Sequence, residues 1–157
     1  MTARTLVVLR HAAAAQVPGL ADRERPLTGE GERDARRAGE TISGMGVRPD
    51  LVLCSPSVRT RRTAELALPG ADIVVEHAVY EAYSDELLTL IRRSDPQVRT
   101  LLLVGHNPGV HQLVRDLTQE PGGPGFPPGS FTVIEVAGEW AELDGGRRVA
   151  RWSPEEH

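Results

Sequence analysis

Short apolar runs rich in β-branched residues alternate with helix-like segments along the first 120 residues. That alternation narrows the fold more than any other feature. TLVVL (5–9), DLVLC (50–54), DIVVE (72–76) and RTLLLVG (99–105) read as buried strands. Between them lie helix patterns at 25–46, 55–68, 84–94 and 107–119. In the first, Thr28 stands as N-cap, Glu30 and Glu32 suit the positive helix end, and Gly44 or Gly46 stops it. Ala35, Ala38, Ile42 and Met45 give that helix its apolar stripe. Ser55 followed by Pro56, and Asn107 followed by Pro108, read as cap-and-proline starts of two further helices. The Pro/Gly loop at 121–130 is followed by two strands, 130–138 and 147–153, which can pair antiparallel around ELDGG. Trp140 and Trp152 read as packing residues near that hairpin, and the last few residues as frayed. The expectation is an α/β fold in one domain spanning 1–157: a three-layer sandwich with a mostly parallel central sheet flanked by helices.

In such sheets ligands gather at the carboxyl ends of the strands. Three exits here carry polar groups. The first ends in Arg10-His11; the second ends at Cys54, with Arg59 one turn into the next helix; the fourth ends in Gly105-His106-Asn107. If those strands are parallel neighbours, two arginines and two histidines converge. Guanidinium groups grip phosphate oxygens in a planar fork, and helix N-termini at Ser55 and Asn107 add N–H donors. A neutral imidazole beside a held phosphoryl group is a competent nucleophile, and the arginines disfavour its protonated form. The run Ala12–Ala15 lets the backbone pass close to a ligand.

Other features take blander readings. Cys54, the single cysteine, ends an apolar strand and reads as a buried small hydrophobe, in keeping with a reducing cytoplasm. Arg25 and Asp22 read as shaping the loop over the site, Thr63 as a local cap or packing residue, and His77 as exposed. His111 packs or faces solvent, and the RTRR run (59–62) is a solvated face apart from Arg59. All 18 cationic side chains are arginine, yet the net charge is −4, which argues against a nucleic-acid or membrane-surface binder. The apolar stretch between Arg4 and Arg10 is too short for a signal peptide, and no run reaches membrane-spanning length, so a cytoplasmic location is expected. No carboxylate or further histidine lies at metal-ligand spacing around either His11 or His106, so no metal and no cofactor is expected.

The runs LRHA, RPLTGEG, SPSVRTRRTAE, YEAY and VGHNPGV together resemble the histidine phosphatase superfamily (branch 1), and within it the small SixA-type phosphohistidine phosphatases. They occur in the family's order over residues 5 to 118. The resemblance implies a phosphoglycerate-mutase-like fold and metal-free phosphatase chemistry through a phosphohistidine on the enzyme. It implies that His11 is the nucleophile, that Arg10 and Arg59 bind phosphate, and that His106 is the second pocket histidine, donating to phosphoryl oxygens. Glu81 falls where the family places its proton donor. Ala12 stands where most of the superfamily has Gly, a difference shared with the SixA-like subgroup. Ala13–Ala15 offer no polar side chain, which leaves backbone N–H groups as donors. Arg62 stands where the family often has Gln.

The gaps between these motifs are short, leaving little chain to roof the pocket. Unless the 12–27 or 121–130 loop folds over it, an open site suits a phosphorylated protein better than a sugar phosphate that must be enclosed, and it suits a mutase less, since a mutase must keep its intermediate from water. The expected partner is a phosphorylated protein or a small phosphorylated molecule. The alternatives are a broad-specificity small-molecule phosphatase of the same superfamily and a phosphate-binding regulatory module without turnover. A metal-dependent hydrolase built on His11 and His106 is a third class, which chelator sensitivity would reveal.

Overall fold

The computed structural model describes residues 3–120 and 125–156. Six strands form one sheet: β1 (Arg4–Arg10), β2 (Leu51–Cys54), β3 (Ile73–Val75), β4 (Thr100–Gly105), β5 (Phe131–Val136) and β6 (Arg147–Trp152). Their order is β3-β2-β4-β1-β5-β6. The first four strands pair in parallel. β5 pairs antiparallel with both β1 and β6, so it alone runs against the rest. This is the mostly parallel α/β sandwich that the alternating pattern predicts, with the expected C-terminal antiparallel pair.

Alternate side chains of each strand leave by opposite faces and feed two apolar clusters. Val7, Leu9, Val52, Cys54, Leu102 and Val104 meet Ala38 and Ile42 of α1 (Gly29–Gly44) and Ala64 and Ala67 of α2 (Val58–Ala67). Leu6, Val8, Leu53, Leu101 and Leu103 meet Leu87 and Ile91 of α3 (Ser84–Arg92) and Val110, Leu113 and Leu117 of α4 (Gly109–Thr118). Trp140 is buried in the second cluster, and its indole N–H donates to the Val98 carbonyl at 2.8 Å. Trp152 stacks on Phe131 with ring centroids 5.7 Å apart.

Several local starts and stops differ from the sequence expectation, each for a physical reason. Thr28 caps α1 as expected, accepting from Gly31 N–H. Met45 leaves the apolar stripe and is exposed, because it sits at the C-cap where the chain turns through Gly46 at φ +78°. α2 is capped by Ser57 rather than Ser55, and Pro56 lies outside the helix. Residue 55 instead continues the strand, its N–H bonding the Val104 carbonyl, and its hydroxyl meets His106 Nε2. Asn107 does not cap α4: Pro108 holds the N-cap position, and the Asn107 amide donates to the Phe126 carbonyl at 2.9 Å. The expected loop at 121–130 lies outside the described residues over 121–124. The C-terminal residues 154–156 form a turn of 3-10 helix where fraying was expected. Among the described residues, no helix is long and apolar enough to cross a membrane.

The four alanines after His11 serve a packing purpose. Ala12 is buried with Leu27 and Ala35. Ala13 O accepts from Thr28 N–H, and Ala14 forms an isolated bridge with Leu27. A Cβ on Gly31 would lie 2.1 Å from Ala13 O, so the first turn of α1 and the strand exit touch backbone to backbone. Small side chains on both partners permit that contact.

Candidate functional site

β4 lies between β1 and β2, so the three polar strand exits stand side by side. Arg10 is level with Gly105, and Cys54 with Val104. His11 N–H continues the ladder by donating to Gly105 O at 3.1 Å. The sheet register thereby delivers Arg10, His11, Ser55 and His106 to one edge of the molecule, and the first turn of α2 adds Arg59.

His11 is 8% exposed. Its Nδ1 lies 2.8 Å from the Ala12 carbonyl oxygen. A carbonyl only accepts, so Nδ1 carries the hydrogen and Nε2 keeps its lone pair. Burial is the main cause that pulls the imidazole from its ordinary 6.5 to about 3, with His106, Arg10 and Arg59 adding to it. The ring is therefore neutral at physiological pH. Its centroid lies 5.3 Å from that of His106.

His106 is engaged on both sides. Its Nε2 lies 2.8 Å from Ser55 Oγ and its Nδ1 lies 3.3 Å from Arg59 Nη2. The guanidinium can only donate, so Nδ1 accepts and Nε2 carries the hydrogen. The ring reaches a phosphoryl oxygen only by giving up one of these partners. Burial and the charges of Arg59 and Arg10 lower its pKa from 6.5 to about 4, against a smaller opposing effect of Asp22. Tyr80 approaches the same ring edge-on at 5.4 Å.

The arginines are partly committed. Arg59 Nη1 donates to the Asp22 carbonyl at 2.7 Å, and Nη2 to the Asp22 carboxylate at 2.9 Å. Arg10 Nη1 donates to the Phe126 carbonyl at 3.1 Å. In both residues, as in Arg4 at the far end of β1, Nε is buried and has no hydrogen-bond partner among the described residues. An unpaired buried donor costs about 1–3 kcal/mol, and more when it belongs to a charged group. Two such donors beside one neutral imidazole describe a seat for an anion.

Second-line contacts hold this arrangement. Thr63 Oγ1 donates to Arg59 O at 2.7 Å and accepts the Ala12 N–H at 3.0 Å, joining α2 to the chain just past His11. Arg25 Nε bonds Ala15 O at 2.9 Å, and its Nη1 bonds Asp22 at 3.2 Å, as suits a loop-shaping residue. Asp22 does more than the loop role read from sequence, since it meets Arg59 and the Tyr80 hydroxyl as well. The sequence reading brought Ser55 to the site only as a helix cap, gave Thr63 a local capping or packing role, and gave Tyr80 no role of its own. Tyr80's signal lay in YEAY, in the residue just before the acid. Glu81 is exposed and adopts a left-handed φ of +59°, an uncommon conformation for a residue with a side chain. Among the described residues its side chain has no hydrogen-bond or ion-pair partner. His77 is exposed, and His111 stacks on Phe126 with centroids 5.9 Å apart. Among the described residues, no group of three or more His, Cys, Asp or Glu is placed to hold a metal ion.

A model of the histidine phosphatase superfamily (branch 1) matches residues 6–87. An uncharacterized protein of Mycobacterium tuberculosis, Rv1276c, is 35% identical over 149 residues, covering 88% of this chain and 93% of its own. A solved structure from Nakamurella multipartitia, assigned as phosphohistidine phosphatase SixA, superposes with a TM-score of 0.90 at 30% identity, covering 98% of both chains. A second SixA assignment, from Agrobacterium tumefaciens, gives a TM-score of 0.81 at 30% identity over 96% of this chain and 98% of that one. With more than half of the sequence matched by the family model, and relatives aligned over nearly their whole length, this chain belongs to the histidine phosphatase superfamily, branch 1.

Proposed function

We propose that the protein is a SixA-type phosphatase that transfers a phosphoryl group to His11 Nε2 and then to water, and that its substrate is a phosphohistidine carried on a protein. One observation carries this reading: a neutral, buried imidazole with its Nδ1 hydrogen pinned to Ala12 O, beside two guanidinium groups that each hold back a buried Nε–H. The neutral ring keeps one lone pair, on Nε2, and that is the pair a nucleophile at phosphorus needs.

In this reading Arg10 and Arg59 seat the phosphoryl oxygens and offset the charge gathering on them in the transition state. His11 Nε2 forms the new N–P bond in line with the departing group. Water then attacks phosphorus, the electron pair returns to Nε2, and inorganic phosphate leaves. His106 assists from Nε2 once it turns from Ser55. Glu81, without a hydrogen-bond or ion-pair partner among the described residues and next to Tyr80 in sequence, supplies a proton where the departing group is an alkoxide. No step requires a metal or cofactor. The phosphohistidine assignment is supported by the SixA names of the two structures above, while the 12–27 and 125–130 segments reach over the site through Asp22 on Arg59 and the Phe126 carbonyl on Arg10. Asp22, at its rim, keeps a side chain 51% exposed.

The test is phosphate release, in the presence of EDTA, from p-nitrophenyl phosphate and from a phosphohistidine-bearing protein. Wild type should turn over both, with the phosphoprotein faster, and His11→Ala should lose at least a thousandfold on each. Equal rates in wild type and mutant would show that the pocket binds phosphate without chemistry at His11.

A further inference from the structure

A protein carboxylate at an anion site opposes the charge that the site is built to hold, and Asp22 is such a group. Its carboxylate accepts from Arg59 Nη2 of α2 (2.9 Å), from Arg25 Nη1 of its own segment (3.2 Å) and from the Tyr80 hydroxyl. These donors hold the carboxyl far below its ordinary range, with the Tyr80 hydrogen bond the largest cause. At neutral pH it is an anion with no proton to give. About half of its side chain still faces solvent, whereas His11 is buried. Arg59 and Tyr80, two of its three partners, both lie against His106. A fixed negative charge there repels an incoming phosphate and does nothing for an alkoxide leaving group, which needs a proton.

The same charge helps if the departing group is a cation. In an in-line displacement at His11 Nε2, the leaving group lies on the side of phosphorus opposite that nitrogen. A phosphorylated imidazole has one ring nitrogen on phosphorus and a second one free. If the second nitrogen carries a proton, the ring departs as neutral imidazole; if it does not, it must depart as the much poorer imidazolate. The protonated ring is a cation with its N–H directed away from phosphorus. The geometry points to Asp22 as the residue that accepts this N–H and thereby selects phosphohistidine over phosphate esters. Atoms and charges balance. The His11 Nε2 lone pair forms the new N–P bond, and the old N–P pair returns to the substrate ring. The ring proton stays on its distal nitrogen against Asp22, and neutral imidazole leaves. No general acid takes part, which fits a carboxyl that cannot supply a proton. This inference rests on the phosphohistidine reading above.

The test compares wild type, Asp22→Asn and Asp22→Glu on phosphoimidazole and on p-nitrophenyl phosphate, with inorganic phosphate as competitive inhibitor. The Asn variant keeps an oxygen acceptor for Arg59 but lacks the charge. In it the ratio of kcat/KM for phosphoimidazole to that for the aryl ester should fall at least tenfold, while inorganic phosphate should bind more tightly. Glu, which keeps the charge, should retain more of the ratio than Asn. An unchanged ratio, or both substrates falling by one common factor, would show that Asp22 only positions Arg59 and would overturn this inference alone. Wild type active on the ester but inactive on phosphoimidazole would overturn the phosphohistidine reading and this inference with it.

Discussion

Ser55 Oγ stands 2.8 Å from His106 Nε2, and both atoms belong to residues at the exits of adjacent parallel strands. Ser55 is fully buried, so no water replaces it when it is lost. Ser55→Ala should strand the imidazole hydrogen at a cost of about 1–3 kcal/mol and lower kcat/KM by roughly tenfold, with the fold retained. Ser57→Ala is the contrasting variant. It removes the α2 cap and should cost about 1 kcal/mol of stability, with kcat/KM within about twofold. Steady-state kinetics and urea unfolding on the two variants separate the roles of two serines only two positions apart.

Thr63 ties α2 to the backbone beside His11 through one hydroxyl that both donates and accepts. Thr63→Val keeps the shape and deletes both bonds, leaving the buried Ala12 N–H unpaired. A loss of about 2 kcal/mol is expected, a fall in Tm of roughly 4–8 °C for a chain of this size. Calorimetry checks it. A Tm within 1 °C of wild type would show that the bond to Ala12 contributes nothing.

Acid should destabilise the protein well above the range of ordinary carboxylates. His11 and His106 take up protons near pH 6.5 when unfolded but only at about 3 and about 4 when folded. Between these limits the unfolded chain binds more protons, so stability is complete above about pH 6.5 and falls as the pH drops toward 4. The slope is about 1.4 kcal/mol per pH unit for each imidazole. Urea unfolding at a series of pH values should show it, and His11→Asn should remove about half. A flat profile between pH 6.5 and 4.5 would mean the imidazoles protonate freely in the folded state.

Two glycines of α1 make opposite predictions. A Cβ on Gly31 would meet Ala13 O at 2.1 Å, whereas one on Gly44 meets nothing within 4 Å. Gly31→Ala should therefore cost at least 2 kcal/mol and disturb the strand exit at His11, while Gly44→Ala should gain about 0.5–1 kcal/mol. Thermal denaturation of the pair, with turnover measured on each, tests both signs.

The site's centre was legible because strand exits announce themselves: an apolar run that stops at Arg10-His11 or Gly105-His106 has no reason to do so in a core. The sheet order was legible only in part, since nothing local states that β4 inserts between β1 and β2. The helix starts went astray where two serines lie two apart. SPS offers Ser55 and Ser57 as equally good caps, and only the assembled site, where the Ser55 hydroxyl meets His106 Nε2 and the Ser57 side chain accepts from Thr60 N–H, distinguishes them. Asp22 was read as a loop residue because its partners, Arg59 and Tyr80, are 37 and 58 positions away. The burial of each Arg Nε is likewise a property of the assembled pocket and leaves no trace in the local pattern. Glu81 stood out only through YEAY, and its left-handed backbone has no signature in the residue type.

Because β4 alone separates β1 from β2, the span between His11 and the start of α2 is set by two inter-strand steps, about 10 Å in all. The working gap of the pocket is thus gauged by backbone hydrogen bonds, which no side-chain replacement can stretch. Loops around it can be exchanged, lengthened or recharged to suit new leaving groups while the caliper that measures out one phosphoryl group keeps its setting.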